Sequence, residues 1–303
     1  MTEQHDGAPV RFRVVESEEG TMLAKLVARR LGNISAQEGR DLVRAGAVYL
    51  GHLRVRVPTV RVVPGERITV YPDALRHQAL PSSAVKFVHR DPAFVVLDKP
   101  AGVPVVQTKQ SARGTLSEAL RRVLAQEGMK RPYVGVVHRL DRGASGLVLF
   151  TIRDIANKSL HQQFVEHRIA RHYRVQVHGT TEGTTRCDAP LVELRDGKVK
   201  VAEQGESRAR PAATTFETLD AREVSAGLSL LAASLETGRT HQIRVHAAHL
   251  GHPVVGDAKY GPDAGDGDGL RLHAHRLEFE HPLSGERIDV RTTPPTWASA
   301  VED

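Results

Sequence analysis

The sequence predicts an α+β protein, and three observations lead to this fold class. The chain has 303 residues, of which 40% are hydrophobic, enough for two domains or for one large domain with an appendage. Short apolar runs bounded by glycine or proline recur along it and are typical of buried strands. A few longer segments carry helix-capping signals, and we find no internal repeat. We therefore expect helices interspersed with strands around a substantial core.

The composition narrows the class of protein. Cys187 is the single cysteine, so no intramolecular disulfide can form and a reducing compartment fits. No apolar run approaches the length of a membrane span, and residues 1–6 lack the layout of a signal peptide. We expect a cytoplasmic protein that acts as a monomer and has no membrane partner.

The positive charge of the chain is concentrated near its N-terminus. The net charge is +6, and between residues 11 and 70 basic residues outnumber acidic ones by eleven to six. About a fifth of the chain therefore carries nearly all of the excess charge. Clustered arginine is what a polyphosphate partner requires, whereas an ordinary solvated surface would not explain the concentration.

The N-terminal elements form a compact pattern of two short helices and a small β-element. The first helix ends at Gly32, and a capping box of Ser35 and Glu38 opens the second. Arg40 and Arg44 lie one turn apart on the second helix and share a face. The predicted elements are a disordered tail at 1–10, helices at 22–31 and 35–46, and strands at 47–49, 55–57 and 67–71.

Residues 20–72 resemble an S-four-like domain, the small RNA-binding module first seen in a ribosomal small-subunit protein. The resemblance rests on the stretch LAKLVARRLGNISAQEGRDLVRAGAVYLGHLRVRVPTVRVVPGERITVY. It departs at Leu50–His52, where the family usually carries an Asn-Gly turn. The resemblance implies an RNA-binding domain over 11–72 in which Arg29, Arg40 and Arg44 face RNA phosphates, with little reading of sequence.

The rest of the chain is predicted to form a second domain over 86–303, after a linker at 73–85. Its first helix is capped by Thr115 and Glu118, and Gly128 follows its end. The predicted helices are 115–126, 154–166 and a segment reaching residue 250. The predicted strands are 87–88, 94–97, 136–137, 147–150, 169–177, 228–235, 277–279 and 288–290. Residues 197–213 are predicted to be a loop or exposed hairpin, and 261–269 a flexible acidic loop.

The stretch VVHRLDRGASGLVLF, residues 136–150, stands out from this pattern. Two apolar runs typical of buried strands enclose a turn that contains one acid, two arginines, a histidine and glycines. A turn that only joins two core strands does not need this composition. Asp141 lies in that turn between Arg139 and Arg142, whose charges favour the ionised carboxylate. The alternative is a turn-capping aspartate, which is common next to glycine.

Several other kinds of site, catalytic, metal-binding and cofactor-binding, can be compared with the motifs in the sequence. A Ser-His-Asp triad would draw Ser145, His138 and Asp141 from within eight residues, whereas triads are assembled from separated elements. The histidines around His246 and His249 have no interleaved acid or cysteine, which argues against a metal site. The acidic loop has Asp263, Asp266 and Asp268 but lacks the closing glutamate of a calcium loop. No Walker or dinucleotide motif occurs. We expect neither metal nor cofactor.

Asp141, Tyr173 and Arg244 remain, each on a separate segment beside an apolar strand. An arginine at a helix start can pair with a carboxylate by two hydrogen bonds, and a tyrosine ring can lie against a planar ligand. Taken singly, Tyr173 could be an ordinary strand aromatic and Arg244 a solvated or phosphate-contacting residue. Together, one acid, one arginine and one ring suit a flipped-out nucleobase.

Residues 86–295 resemble the RluA-type RNA pseudouridine synthases. HRLDRGASGLVLF resembles their His-Arg-Leu-Asp signature, VVLDKPAGVPV their first motif, RIARHYRVQVHG the segment with the family tyrosine, and LETGRTHQIRVHAAHLGHPVVGDAKYG their third motif. The resemblance implies a catalytic aspartate at Asp141, an active-site tyrosine at Tyr173 and, at Arg244, an arginine that pairs with the aspartate. It also implies a mixed, mostly antiparallel central sheet with flanking helices and a basic cleft. Ala144 and Arg171 depart from the usual Thr and Lys.

Five further residues of these motifs are candidates for substrate binding. They are His138, Arg139, Arg239, His241 and Gln242. A flipped uridine leaves a gap in the RNA stack, and the planar guanidinium of Arg139 could fill it. The alternative is that Arg139 pairs with a nearby acid and holds the turn.

The sequence thus predicts an RNA pseudouridine synthase without a cofactor, acting, by the family resemblance, on large-subunit ribosomal RNA. Asp141 would act as nucleophile on the ribose or as base on its 2′ hydrogen, and both roles need the ionised carboxylate. The alternative function is a non-catalytic RNA-binding factor for ribosome assembly with a relic active site. A serine or metal-dependent hydrolase is a more distant alternative.

Overall fold

The computed structural model describes residues 9–75, 78–107, 114–194, 197–220, 227–262 and 269–299. The chain divides into two compact units. The first comprises Met1–Ser82 and Val106–Ala119, and the second comprises Ser83–Val105 and Leu120–Asp303. In the described part of the chain no helix is long and apolar enough to cross a membrane.

The first unit contains a four-stranded antiparallel sheet in the order β1-β4-β2-β3, together with two helices. Its elements are β1 (Val10–Arg13), α1 (Leu23–Leu31), α2 (Ala36–Arg44), β2 (Val48–Leu50), β3 (Leu53–Val55) and β4 (Arg67–Val70). The predicted capping box is present, since Ser35 Oγ accepts a hydrogen bond from the Glu38 amide at 3.1 Å and the Glu38 carboxylate accepts one from the Ser35 amide. The sequence did not predict β1, which begins at Val10 inside the expected tail; residues 1–8 lie outside the described part.

The core of the first unit is built from the apolar faces of its two helices and its sheet. Leu23, Leu26 and Val27 of α1 are fully buried with Ile68 and Val70 of β4. The two helices touch at Gly39, where a Cβ atom would lie 2.5 Å from the carbonyl oxygen of Ala24. Only glycine fits so close an approach, and this close packing fixes how α2 lies against α1.

The second unit contains a mixed ten-stranded sheet, so the prediction of an α+β fold with a mostly antiparallel sheet is confirmed. Within the described residues the order is β10-β13-β14-β9-β15-β8-β6-β5, with β16 beside β15 and β7 beside β8. Of these pairs only β15 with β8 is parallel. The strands are β5 (Lys86–Arg90), β6 (Phe94–Lys99), β7 (Gly135–Val136), β8 (Ser145–Thr151), β9 (Ala170–His178), β10 (Thr184–Cys187), β13 (Thr214–Asp220), β14 (Leu228–Leu235), β15 (Leu272–Glu280) and β16 (Arg287–Arg291).

A separate two-stranded hairpin and three further α-helices are the remaining elements of this size in the described part of the chain. The hairpin pairs β11 (Leu191–Glu193) with β12 (Val199–Val201). Strand β12 lies inside residues 197–213, which were predicted to be a loop or exposed hairpin, and β11 lies just before them. The helices are α3 (Leu116–Gln126), α4 (Asp154–Val165) and α5 (Gln242–His249). The sequence did not predict β10 and β13. The acidic loop with Asp263, Asp266 and Asp268 lies outside the described residues.

The parallel pairing of β15 with β8 positions the site. Gly146 lies opposite Ala274, and Ala274 also lies opposite Tyr173 on β9. A Cβ atom on Gly146 would fall 2.2 Å from the Ala274 carbonyl oxygen, and Gly146 has a φ of +106°. Glycine is therefore required where the turn after Asp141 enters the centre of the sheet.

Candidate active site

Asp141 lies in the turn that joins β7 to β8, at the centre of the sheet. Its backbone carbonyl accepts a hydrogen bond from the Ala144 amide at 3.2 Å, which closes the turn. The next residue, Arg142, is joined twice to Gly102: its carbonyl accepts from the Gly102 amide at 2.8 Å, and its Nε donates to the Gly102 carbonyl at 2.9 Å. The loop after β6 thus holds the turn that carries Asp141.

Lys99, the last residue of β6, bonds to the same turn through its side chain. Its side chain is fully buried, and its Nζ donates to the carbonyl oxygens of Pro100, Val103 and Arg142 at 2.8–3.2 Å. Burial lowers the pKa of Lys99 to about 8, while the charge of Asp141 acts in the opposite direction. Lys99 therefore places a buried amine close to Asp141 without bonding to it.

Arg244, on α5, links Asp141 to a second carboxylate. Its Nη1 donates to Asp141 Oδ2 at 2.8 Å, while Nε and Nη2 donate to the two oxygens of Asp257, both at 2.7 Å. The Asp141 side chain is 22% exposed, that of Arg244 11% and that of Asp257 0%. The arginine therefore joins a wholly buried carboxylate to one that solvent or a ligand can reach.

Asp257 was not among the residues predicted from sequence. Burial is the largest single influence and would raise the pKa of its carboxyl, but the hydrogen bonds and charge of Arg244, together with two backbone amides, hold that pKa below its usual value. Its Oδ1 also accepts from the backbone amides of Lys259 and Tyr260. Asp257 is thus a fully bonded anion that fixes the guanidinium plane of Arg244.

His241 and Tyr260 form the other side of the site. His241 Nε2 lies 3.9 Å from Asp141 Oδ1, and His241 Nδ1 is 2.7 Å from the Tyr260 hydroxyl. Burial lowers the pKa of His241, although Asp141 opposes the shift, so the ring is neutral at neutral pH. The Arg244 guanidinium lies 5.1 Å from the centre of the Tyr260 ring. His241 is therefore positioned to touch a ligand that reaches Asp141.

Tyr173 on β9 is buried, 7% exposed, between two small neighbours. It lies opposite Ala233 on β14 and Ala274 on β15. Burial raises the pKa of Tyr173, and the charge of Asp141 raises it further, so the side chain is a neutral phenol. The electrostatic effect of Asp141 on Tyr173 is consistent with the two side chains lying in the same part of the second unit.

Two of the predicted substrate contacts lie in the protein interior instead. His138 is 5% exposed, its Nε2 accepts a hydrogen bond from the Leu149 amide at 3.1 Å, and its ring stacks on Phe164. Gln242 is 2% exposed and bonds to Ala213, Thr214 and the loop before α5. Both side chains satisfy buried backbone groups in this structure, so a contact of either with substrate stays a prediction. Sequence shows that a side chain is polar, not which way it points.

The other predicted residues keep accessible positions. Arg139 is exposed and forms no ion pair with any residue that the structure describes, so the turn-holding pair considered for it is absent there. Arg239 is half-buried, and its Nε donates to the Pro211 carbonyl. In the first unit Arg40 bonds to Gln37, Arg29 to Glu18 and Arg44 to Asp41.

The alternative chemistries do not assemble. Ser145 Oγ lies 2.8 Å from His273 Nδ1, whereas His138 faces Leu149, so no triad forms with Asp141. His246 bonds to Thr214 and to the Ala189 carbonyl. In the described ranges no group of three or more His, Cys, Asp or Glu side chains could hold a metal ion.

The chain is similar to known proteins in sequence and in structure. Residues 93–249 match the sequence model of the family described as RNA pseudouridylate synthase. The chain is 32% identical to an uncharacterised RNA pseudouridine synthase, YlyB, of Bacillus subtilis over 95% of both chains. It is also 32% identical to ribosomal large subunit pseudouridine synthase C of Haemophilus ducreyi, over 95% of this chain and 93% of that one. In structure it resembles human RNA pseudouridylate synthase domain containing 1, with a TM-score of 0.58, 25% identity, and coverage of 72% of this chain and 87% of that one.

Proposed function

The chain belongs to the RNA pseudouridylate synthase family, and from this premise we propose that it converts uridine to pseudouridine in large-subunit ribosomal RNA. The reaction breaks the bond between N1 and C1′, turns the base and joins C5 to C1′. The proton lost from C5 is balanced by one gained at N1, so the reaction needs no oxidant or reductant. Relatives named as ribosomal large subunit pseudouridine synthases support this choice of RNA.

The observation that carries the proposal is the single accessible carboxylate of Asp141, tied to the buried Arg244–Asp257 pair. The Arg244 guanidinium donates to Asp141 Oδ2 at 2.8 Å and so orients the carboxylate for either candidate role, attack on the ribose or removal of its 2′ hydrogen. Because Arg244 is itself held by Asp257, the carboxylate is aimed before substrate arrives. A preorganised acid of this kind favours catalysis over the alternative of an RNA-binding factor with a relic site.

Two further side chains complete the proposed site for a flipped-out uridine. Tyr173 offers the face of a neutral phenol ring against which the uracil can lie. His241, 3.9 Å from Asp141, is placed to donate a hydrogen bond to the nucleotide. The partly exposed Asp141 then faces the sugar while the ring of Tyr173 faces the base.

The N-terminal unit is proposed to be the S-four-like RNA-binding module predicted from sequence. Its support is the excess of basic residues between 11 and 70 and the exposed position of Arg44, whose side chain is 59% exposed. Arg40 and Arg44 lie on α2, and Arg29 lies on α1. These arginines would contact phosphates, which supply affinity without sequence reading. A cytoplasmic site of action fits a ribosomal RNA substrate and a single reduced cysteine.

Asp141→Asn tests the proposal. The substitution keeps the volume and removes the charge, so we expect pseudouridine formation to vanish while folding and RNA affinity stay close to those of the parent. Pseudouridine would be mapped in a large-subunit ribosomal RNA transcript, with Asp188→Asn, an exposed acid, as the matched control. Turnover by the Asn variant at a substantial fraction of the parent rate would refute the role of Asp141. A parent protein that forms no pseudouridine in this transcript would refute the choice of RNA.

A further inference from the structure

A basic cavity lies beside the candidate active site in the second unit. It has a volume of about 660 Å³, within the range of roughly 300–1,000 Å³ found for small-ligand sites. The hairpin of β11 and β12 forms one wall, the segment with Arg208 and Arg210 a second, and the loop with Arg239 and Thr240 a third. None of the roles described above for Asp141, Tyr173 and Arg244 uses this cavity.

The cavity is connected to Asp141 through a short series of contacts. Val199, in its wall, donates its amide hydrogen to the Tyr260 hydroxyl at 3.0 Å, and that hydroxyl bonds to His241 Nδ1. His241 follows Thr240 in the chain and lies 3.9 Å from Asp141. The wall of the cavity is therefore joined through Tyr260 and His241 to Asp141, beside which the reacting nucleotide has to lie.

The charge of the cavity suits an anion. Arg208, Arg210 and Arg239 all line it, and none of them forms an ion pair with an acid among the residues that the structure describes. Among the described residues that line the cavity, Glu193 is the one acid, which leaves an excess of two positive charges in that set. Exposed arginines are commonly only solvated, but three that converge on one concave surface attract phosphate.

Two of the three arginines, Arg210 and Arg239, are held by the backbone around them. Arg210 exchanges two hydrogen bonds of 2.9 Å with Leu191, which fixes its segment against β11. The Arg239 Nε donates to the Pro211 carbonyl at 3.0 Å, which orients that guanidinium plane. The hairpin is itself anchored to α5, because Leu191 and Val199 pack against Val245. The positive charges are thus presented by a fixed frame.

An apolar surface accompanies the charge. Leu194 lines the cavity with 38% of its surface exposed, and the buried side chains of Leu191 and Val199 lie behind it. A phosphate alone would need no such surface. A nucleotide has a charged phosphate and a flat base or sugar that an apolar side chain can cover.

We propose that this cavity binds a nucleotide adjacent to the target uridine, with Arg208, Arg210 and Arg239 on its phosphodiester and Leu194 against its base or ribose. The inference rests on the proposed function, since it presumes RNA in the site. It adds a contact that grips the strand outside the reacting nucleotide. Such a contact raises affinity for RNA and leaves the chemical step unchanged.

The test compares two double variants that each remove two positive charges. Arg208→Gln/Arg210→Gln alters the cavity, and Lys130→Gln/Arg131→Gln alters exposed residues that do not line it. With a protein-free transcript of large-subunit ribosomal RNA, we expect the cavity variant to raise Kd and KM by about tenfold and to lower the slope of log Kd against log salt by about 1 to 2, because phosphate contacts release counterions. Its kcat should equal that of the parent, and the control variant should retain the parent's Kd and slope.

Two results would overturn the inference. One is an unchanged Kd and salt slope in the cavity variant, which would leave a protein partner as the occupant of the cavity. The other is an equal loss in both variants, which would show a general effect of surface charge. Because binding is measured apart from turnover, these results differ from failure of the proposed function, which appears as an absence of pseudouridine in RNA treated with the parent protein.

Leu194→Ser, which removes apolar contact without charge, should raise Kd at an unchanged salt slope.

Discussion

At the scale of single residues, Asp257 is the partner that makes Arg244 a fixed group. It supplies both oxygens to Nε and Nη2 of Arg244, and Asp141 takes the remaining Nη1. In Asp257→Asn one oxygen is replaced by an amide that cannot accept, so the guanidinium loses its aligned charged partner. We expect kcat to fall by at least about tenfold with little change in KM, and the free energy of unfolding to fall by about 3 kcal/mol, as when a buried pair is broken.

The chain offers a matched control for this change. Arg276 binds Asp289 with the same two-pronged geometry, both distances being 2.8 Å, but on the partly exposed surface of β15 and β16. Asp289→Asn should leave kcat unchanged and cost less than about 1 kcal/mol. Steady-state kinetics and urea unfolding of both variants check the expectation. If Asp257→Asn lost stability but kept the parent's kcat and pH profile, Asp257 would be structural only.

At the scale of elements, His138 locks the segment after β7 onto β8. Burial lowers the pKa of His138 to about 3 from an ordinary value of 6.5, with the charge of Arg171 adding to the shift. Between these two values the unfolded chain binds a proton that the folded chain does not, so this residue's contribution to stability is lost as the pH falls through that window. At pH 5 the loss relative to pH 7 should be about 2 kcal/mol.

His138→Gln tests this linkage while keeping an acceptor for the Leu149 amide. We expect the parent to lose about 2 kcal/mol more than the variant between pH 7 and pH 5, measured by urea unfolding at each pH. His161→Gln, at an exposed position on α4, is the control and should follow the parent. Parallel curves for the parent and His138→Gln would show that His138 does not remain neutral in the fold.

The elements also show what sequence could and could not predict. The helix α2 was predictable because its start signal, Ser35 with Glu38, is local and makes the expected hydrogen bonds. The strands β10 and β13 were missed because they are rich in threonine and lack an apolar run, and β10 takes its place by pairing with β13 at one end of the sheet. Strand identity in such cases depends on the neighbouring strand rather than on the segment itself.

Some residues of the candidate site were likewise predictable from the sequence, and others were not. Asp141, Tyr173 and Arg244 were identified because the three together suit a nucleobase and because their segments resemble the motifs of a known family. Asp257 gave no comparable signal, because its role arises only when the segment after α5 folds back on Arg244. The burial of His138 and Gln242 was not predictable either. Their polar atoms satisfy backbone groups of the core, which sequence cannot distinguish from contacts with a substrate.

At the scale of the whole molecule, charge and catalysis are carried by separate parts of the chain. The core cluster of the first unit runs from Val14 to Ala74, and one core cluster of the second runs from Ala93 to Val290, with no residue in common. Five of the six excess positive charges lie between residues 11 and 70, while Asp141, Tyr173 and Arg244 all lie in the second unit. Affinity for RNA should therefore be separable from the chemical step.

Deletion of residues 1–80 tests this separation. The deletion removes the whole core cluster of the first unit and no residue of the second unit, so we expect the truncated protein to fold. The segment Val106–Ala119, which also belongs to the first unit, remains without the rest of that unit. Its Kd for a large-subunit ribosomal RNA transcript should rise by at least about tenfold, and its salt slope should fall by about 2 to 3, because arginine contacts with phosphate are removed. At saturating RNA its kcat should match that of the full chain.

Arg40→Gln/Arg44→Gln in the full chain should move Kd and slope in the same direction by a smaller amount. Equal affinity and equal slope in the full and truncated proteins would show that the first unit is not an RNA anchor, and a loss of kcat at saturating RNA would show that the chemical step depends on it.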